Sequence, residues 1–221
     1  LKNEHRVIER VLDAMETQLS RSIDAGFFRD AIDFLRNFAD GCHHAKEEKE
    51  LFPVLESAGI PREHGPIGCM LDEHEMGRGL IRKIANNLDA AAQGDAEAGS
   101  VLRNAVSAYI RLLRQHIDKE DNVLFVMAER ALGPEEQELM RGAFERADRS
   151  HSCSSKHQHY VDMADELLET YIHQLLESHP MTEVNVAWQG GEPTLMGLDF
   201  FKRSIELAEK YKKPGQTLMY T

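Results

Sequence analysis

Cysteine is scarce in this chain. Cys42, Cys69 and Cys153 are scattered, and no Cys-x-x-Cys occurs. That spacing predicts no disulfide framework and no thiolate cluster, and suits a reducing, cytoplasmic setting. Basic residues are also in deficit, 26 against 38 acidic ones, for a formal charge of −12. Such a balance argues against binding the phosphate backbone of nucleic acid. Long apolar runs are missing, since nothing approaches the roughly 18–20 residues of a membrane span. Leu1 opens directly into a helical pattern without a signal-peptide profile. Because that residue is not Met, the sequence is expected to begin inside a longer chain. What remains is a globular composition, 42% hydrophobic and 29% charged, with 11 histidines whose positions matter more than their number.

The stretch from Cys42 to Pro53 shows why. It continues a helical pattern whose inward seam reads Ile32, Leu35, Ala39, His43, Glu47, Leu51, Val54. His43 and Glu47 are four residues apart, so on a helix they lie one above the other. A solvated face is the bland reading of such a pair. Pointed into a core, however, both groups need partners, because unpaired buried polar groups cost several kcal/mol. A metal ion would take both.

Other helices carry the same interruption. Helix one, about residues 2–25, has the seam His5, Ile8, Leu12, Met15, Leu19. Helix two spans about 27–57 and ends in a turn with Gly59. Helix three, about 66–93, reads Ile67, Met70, His74, Gly77, Ile81, Ile84, Leu88, with Gly77 leaving space beside His74. Helix four follows Gly94-Asp95 and reads Val106, Tyr109, Leu113, His116, Glu120, Val123, Met127. His116 and Glu120 repeat the spacing of His43 and Glu47. Four long helices on short connections predict a mainly α protein, an antiparallel up-down four-helix bundle. Alternating direction can bring the four interruptions to one depth as a metal site. Tyr109, about two turns before His116, is either a core aromatic or part of the pocket wall.

These residues resemble the hemerythrin-like, or HHE cation-binding, family. The matching pieces are Glu4-His5, His43-His44-x-x-Glu47-Glu48-x-x-Leu51-Phe52-Pro53, Glu73-His74-Glu75, and His116-x-x-x-Glu120-Asp121-x-x-Leu124-Phe125. The resemblance covers about residues 1–170. It implies two non-haem iron ions bridged by two carboxylates and an oxo or hydroxo group, with O2 or a related diatomic as the partner. Two six-coordinate ions need about twelve donor positions. Five His, two carboxylates used twice and a bridging oxygen used twice fill eleven and leave one open.

The ligands so implied are His5, His43, His44, Glu47, His74, His116 and Glu120. Oxygen carriers usually place a fifth His where this chain has Arg78, so His44 is the replacement, or the position is vacant or water-filled. Asp121 is a lesser candidate than Glu120 for the second carboxylate. More imidazole than carboxylate favours reversible binding, sensing or iron handling over hydroxylation. The alternative is an enzyme at the same site, for repair of iron centres or reduction of peroxide or NO.

Beyond residue 134 come a short helix to about 150, a polar link with His151, Cys153, His157 and His159 read as solvated rather than zinc-binding, and a helix over 156–178. From about residue 172 the character changes. Residues 183–188 alternate like a strand, then come Gly190, Gly191, Glu192 and Pro193, then a helix near 198–211. This part resembles radical S-adenosylmethionine enzymes, specifically anaerobic sulfatase-maturating ones. There, Gly-Gly-Glu-Pro touches the methionyl part of the cofactor. The Cys-x-x-x-Cys-x-x-Cys that holds the cluster is missing here, so neither S-adenosylmethionine nor a 4Fe-4S cluster is expected. Residues 172–221 therefore read as a short strand-loop-helix fragment beside the 1–170 domain, loosely docked, its strand without a parallel neighbour. No protein partner is indicated.

Overall fold

The computed structural model describes residues 1–149, 157–178, 181–186 and 198–220. Helix α1 (Lys2–Gln18) is followed by a turn, and Asp24 then caps the second helix, its carboxylate accepting from Phe27 N–H at 3.1 Å. That helix, α2, runs over residues 25–57. It opens as an α-helix (Ala25–Phe34), widens into π-helical turns (Leu35–His44 and Glu47–Leu51) and closes as α (Phe52–Ser57). Helix α3 (Pro66–Ala92) begins on a proline whose missing N–H costs nothing there. Gly94, at φ 93°, makes the tight exit to α4. Asp95 caps α4 by accepting from Ala98 N–H at 2.8 Å. This fourth helix also changes pitch, from α (Ala96–Lys119) through π (Glu120–Leu124) and back to α (Phe125–Ala131). Together α1–α4 form the expected hemerythrin-like bundle.

The bundle holds two apolar clusters. The larger joins Ile8, Leu12 and Met15 to Phe34, Phe38, Ile84, Leu102 and Leu113; the smaller joins Leu51, Phe52 and Leu55 to Ile67, Met70, Leu124 and Phe125. Along α1 to α4 the buried polar residues other than Gln18 fall between these clusters, so a polar belt is sealed by apolar layers at both ends. The seam of α3 is buried as expected. Those of α2 and α4 slip by one residue after the ligand positions. Leu55 is buried where Val54 was expected, and Leu124 and Ala128 replace Val123 and Met127, with Val123 half exposed. The π turns are the cause, since each wide turn inserts a residue into the α period.

Helix α5 (Pro134–Asp148) covers one end, burying Met140 in the smaller cluster. Helix α6 (His157–Ser178) lies along the bundle. Its Tyr160, Ala164 and Leu167 join the larger cluster, whereas Leu168, Ile172 and Leu176 belong to a third cluster with Val184, Leu207 and Ala208. The tail thus differs from the loosely docked fragment expected. Strand β1 (Glu183–Val186) does have a parallel neighbour, β2 (Thr217–Tyr220), reached through helix α7 (Leu198–Tyr211). Val184 and Val186 are buried, and Lys210 and the Tyr211 hydroxyl both engage Glu169 on α6, at 2.6 and 2.5 Å. A second strand in a four-residue run of mixed polarity left little period to read. Cys42 is disulfide-bonded, which corrects the expectation of no disulfide framework, while Cys69 is free and exposed. No helix among the described residues is long and apolar enough to cross a membrane.

Candidate metal centre

Seven buried side chains meet in the polar belt: His5 from α1, His43, His44 and Glu47 from α2, His74 from α3, and His116 and Glu120 from α4. They sort into two clusters. One is His5 and His43 with Glu47 and Glu120; the other is His44, His74 and His116 with Glu47. Both carboxylates divide their oxygens between the two sides. Glu120 presents Oε2 to His5 Nε2 and Oε1 to His116 Nε2, each at 3.1 Å. Glu47 presents Oε1 to His43 Nε2 at 3.5 Å and Oε2 to His74 Nε2 at 3.6 Å. None of these four oxygens has a hydrogen-bond partner, and neither has His44 Nε2. Close approach without hydrogen-bond alignment is how ligands sharing a cation are arranged.

A carboxylate holds the far nitrogen of each imidazole. Nδ1 of His5 donates to Asp121, that of His43 to Glu4 and that of His116 to Glu73, each at 2.9 Å; His74 donates to Glu48 at 2.7 Å and His44 to Asp40 at 3.4 Å. Since a carboxylate only accepts, the proton sits on Nδ1 and Nε2 carries a lone pair. Yet His5 Nε2 and His43 Nε2 face each other at 2.9 Å, and His74 Nε2 and His116 Nε2 at 3.1 Å. Two lone pairs at that distance repel unless a proton or a metal cation lies beside both. Metal–nitrogen bonds of about 2.1 Å set at right angles separate their donors by about 3.0 Å. The residues present therefore fit two metal ions.

Cations back the outer carboxylates in turn. Arg6 pairs with Asp121, Lys46 with Glu4, Lys119 with Glu73, and Arg78 with both Glu48 and Asp40 at 2.7 Å. These pairs fix the rings before any metal arrives. Arg78 thus supports ligands from outside. Asp121 stands behind His5 and belongs to neither cluster. Glu48, next to the ligand Glu47, grips His74 instead of joining either cluster. Sequence reasoning missed Glu4, Asp40 and Glu73 as supports. Their one signal is placement next to a ligand or a turn before it.

Burial and neighbouring charges shift the titration of the clustered groups in opposite directions. Burial, then the charge of Glu120, pushes Glu47 well above the usual carboxylate range. Glu120 is held well below it, where His116 and His5 outweigh burial. Burial takes His44 down to about 4 and also lowers His43. His116 rises to about 9, because Glu120 and Glu73 overcome its burial. Burial draws Glu48 upward, but the His74 hydrogen bond and Arg78 hold it at about 2. The residues Gly190, Gly191, Glu192 and Pro193 lie outside the described residues, as do His151 and Cys153.

Against known families, the hemerythrin HHE cation binding domain matches residues 1–128. The uncharacterized protein Rv1995 of Mycobacterium tuberculosis is 27% identical over 167 residues, covering 73% of this chain and 65% of that protein. The iron-sulfur cluster repair protein YtfE of Edwardsiella ictaluri is 36% identical over 105 residues, 46% of this chain and 45% of YtfE. A serine-type anaerobic sulfatase-maturating enzyme of Bacteroides thetaiotaomicron is 41% identical over 56 residues, 25% of this chain and 13% of that enzyme. The chain thus spans less than two thirds of the length of each of these curated relatives. No solved structure matches it significantly.

Proposed function

Because the chain belongs to the hemerythrin HHE cation binding domain family, we propose that its bundle holds two bridged non-haem iron ions and binds or senses O2 or a related diatomic. The observation carrying this reading is the pair of buried carboxylates, Glu47 and Glu120, each with its two oxygens turned to different histidine clusters. The three-histidine side offers five protein donors, His44, His74, His116 and one oxygen from each carboxylate. On the other side His5 and His43 with the same two carboxylates offer four. A small ligand would therefore enter at the two-histidine ion. Iron there supplies reversible ligation of a diatomic; the chain supplies neutral imidazoles, fixed orientation and exclusion of water. Phe125 stacks on His5 at 5.6 Å and Phe52 on His74 at 6.0 Å, closing the belt from the smaller apolar cluster.

Metal analysis and an absorption spectrum of the aerobically purified protein test this. Two irons per chain with oxo-to-iron charge-transfer bands in the near ultraviolet are expected. A single zinc without such bands would overturn the reading. A second reading is enzymatic: iron-centre repair, in line with the similarity to the iron-sulfur cluster repair protein YtfE, or peroxide or NO reduction at the same ions, which that similarity does not address. Many rapid turnovers of peroxide or NO with an added reductant would favour it; a stable adduct of the reduced protein with oxygen would favour binding. A cytoplasmic setting belongs to the same proposal, with the disulfide at Cys42 weighing against a strongly reducing one.

A further inference from the structure

Beside the three-histidine cluster lies a cavity of about 190 Å³, far larger than a diatomic needs. His44, His74 and His116 form one wall, and Leu35, Ile81 and Leu113 contribute apolar surface. Neither His5 nor His43 lines it, so it is separate from the side with fewer protein donors.

Its charge is unlike that of the molecule. Arg36, Arg78 and Arg82 line it on a protein with a formal charge of −12. The two acidic residues in its wall are already engaged, Asp40 by Arg78 and His44, and Glu73 by Lys119 and His116. Arg78 is engaged by Asp40, Glu48 and Glu75. Arg36 and Arg82 are different. Both are exposed, and neither forms an ion pair among the described residues. A second, independent feature lies deeper. Tyr109 is 3% exposed and lines the cavity, yet its hydroxyl makes no hydrogen bond among the described residues. Although the residue as a whole is buried, its hydroxyl oxygen is not sealed off, so this donor is open to an acceptor bound in the cavity. Burial, then the nearby charge of Asp40, lifts this phenol well above its usual range, so it stays a neutral donor.

We propose that this cavity is a binding site for a small anion with several acceptor oxygens, a dicarboxylate or an oxyanion, held by the Arg36 and Arg82 guanidinium groups at the mouth and the Tyr109 hydroxyl inside. Guanidinium forks match such oxygens in pairs. The three-histidine ion has five protein donors and a bridging position, so the anion sits beside the centre rather than on it. It would act as an effector or co-substrate.

Titration calorimetry of the full chain with malonate and with inorganic phosphate, in a chloride background of constant ionic strength, tests the site. One saturable site per chain is expected with at least one of them, and the stronger binder separates the dicarboxylate from the oxyanion source. Replacing both Arg36 and Arg82 by Gln should weaken binding by about tenfold or more, and Tyr109→Phe by about fivefold. Metal content and helical circular dichroism should stay at wild-type values in both variants. Absence of saturable binding to either probe, or binding that the substitutions leave unchanged, overturns the proposal. Running the titration on metal-free and metal-loaded protein separates this result from the iron reading, because metal content is measured independently of anion affinity.

Discussion

Glu47 and Glu120 are fully buried, with all four oxygens lacking hydrogen bonds, a cost that a cation shared between them would offset. Replacing either by Gln should remove most of the bound metal, read as metal per chain. The outer carboxylates give a graded test. Glu48→Gln removes the acceptor behind His74, and Asp121→Asn weakens the one behind His5. Losses of metal affinity of about 10–100-fold are expected for changes of this kind, against no loss for Glu63→Gln on the exposed turn. Equal behaviour of Glu48→Gln and Glu63→Gln would mean that the ring contacts do not matter. Six of the seven clustered side chains were legible as polar interruptions of apolar seams: His5, His43, Glu47, His74, His116 and Glu120. His44 was not fixed in the same way. Adjacent residues of an α-helix point about 100° apart, so the sequence left it between ligand and surface. The supports Glu4 and Glu73 read as ordinary surface acids because the histidines they hold come from other helices, and Asp40 because its partner His44 was itself not placed.

What brings His43 and His44 together is a property of the helix rather than of either residue. Both lie in the π-helical stretch Leu35–His44, and Glu47 and Glu120 each open another. Wider turns reduce the angle between neighbours, so two consecutive rings can face one core. Gly41 sits inside the first stretch, where a Cβ would come within 3.2 Å of the Arg36 carbonyl oxygen. Deleting Gly41 should return the turn to α pitch and rotate His43, His44 and Glu47 by about 100° relative to Ala39. Metal content should then fall below one ion per chain while the far-ultraviolet spectrum stays helical. Retention of both ions would show that the wide turn does not set the register. Helices α1 and α3 keep regular α pitch, and every position read into their seams is buried except Leu19, which lies past the end of α1 and is only partly buried. The seams of α2 and α4 were read correctly as far as Leu51 and Glu120 and slipped beyond them, because a local change of hydrogen-bonding pattern leaves no periodic trace in so short a window.

At the scale of the whole chain, the bundle was legible from four seams and three short connections, but the tail was not. Its pairing partner β2 is four residues long, and its core borrows three residues from a helix that also serves the bundle. The sites of cutting should therefore differ. Ending the chain after Ser178 removes β1, α7 and β2 and should leave metal content unchanged. Ending it after Arg149 also strips Tyr160, Ala164 and Leu167 from the larger cluster. Burial of one large apolar side chain is worth about 1.5–3 kcal/mol, so the shorter protein should lose several kcal/mol in denaturant unfolding. Similar stability of both truncations would place α6 outside the core. Helix α6 works, in effect, as a shaft turning in two bearings. Neither end can melt without loosening its hold on the other, so the intact chain should show one calorimetric transition where two independent units would show two. By linkage, metal taken up in the bundle should also slow amide hydrogen exchange at Leu207 and Ala208, in a part of the chain that contributes no ligand.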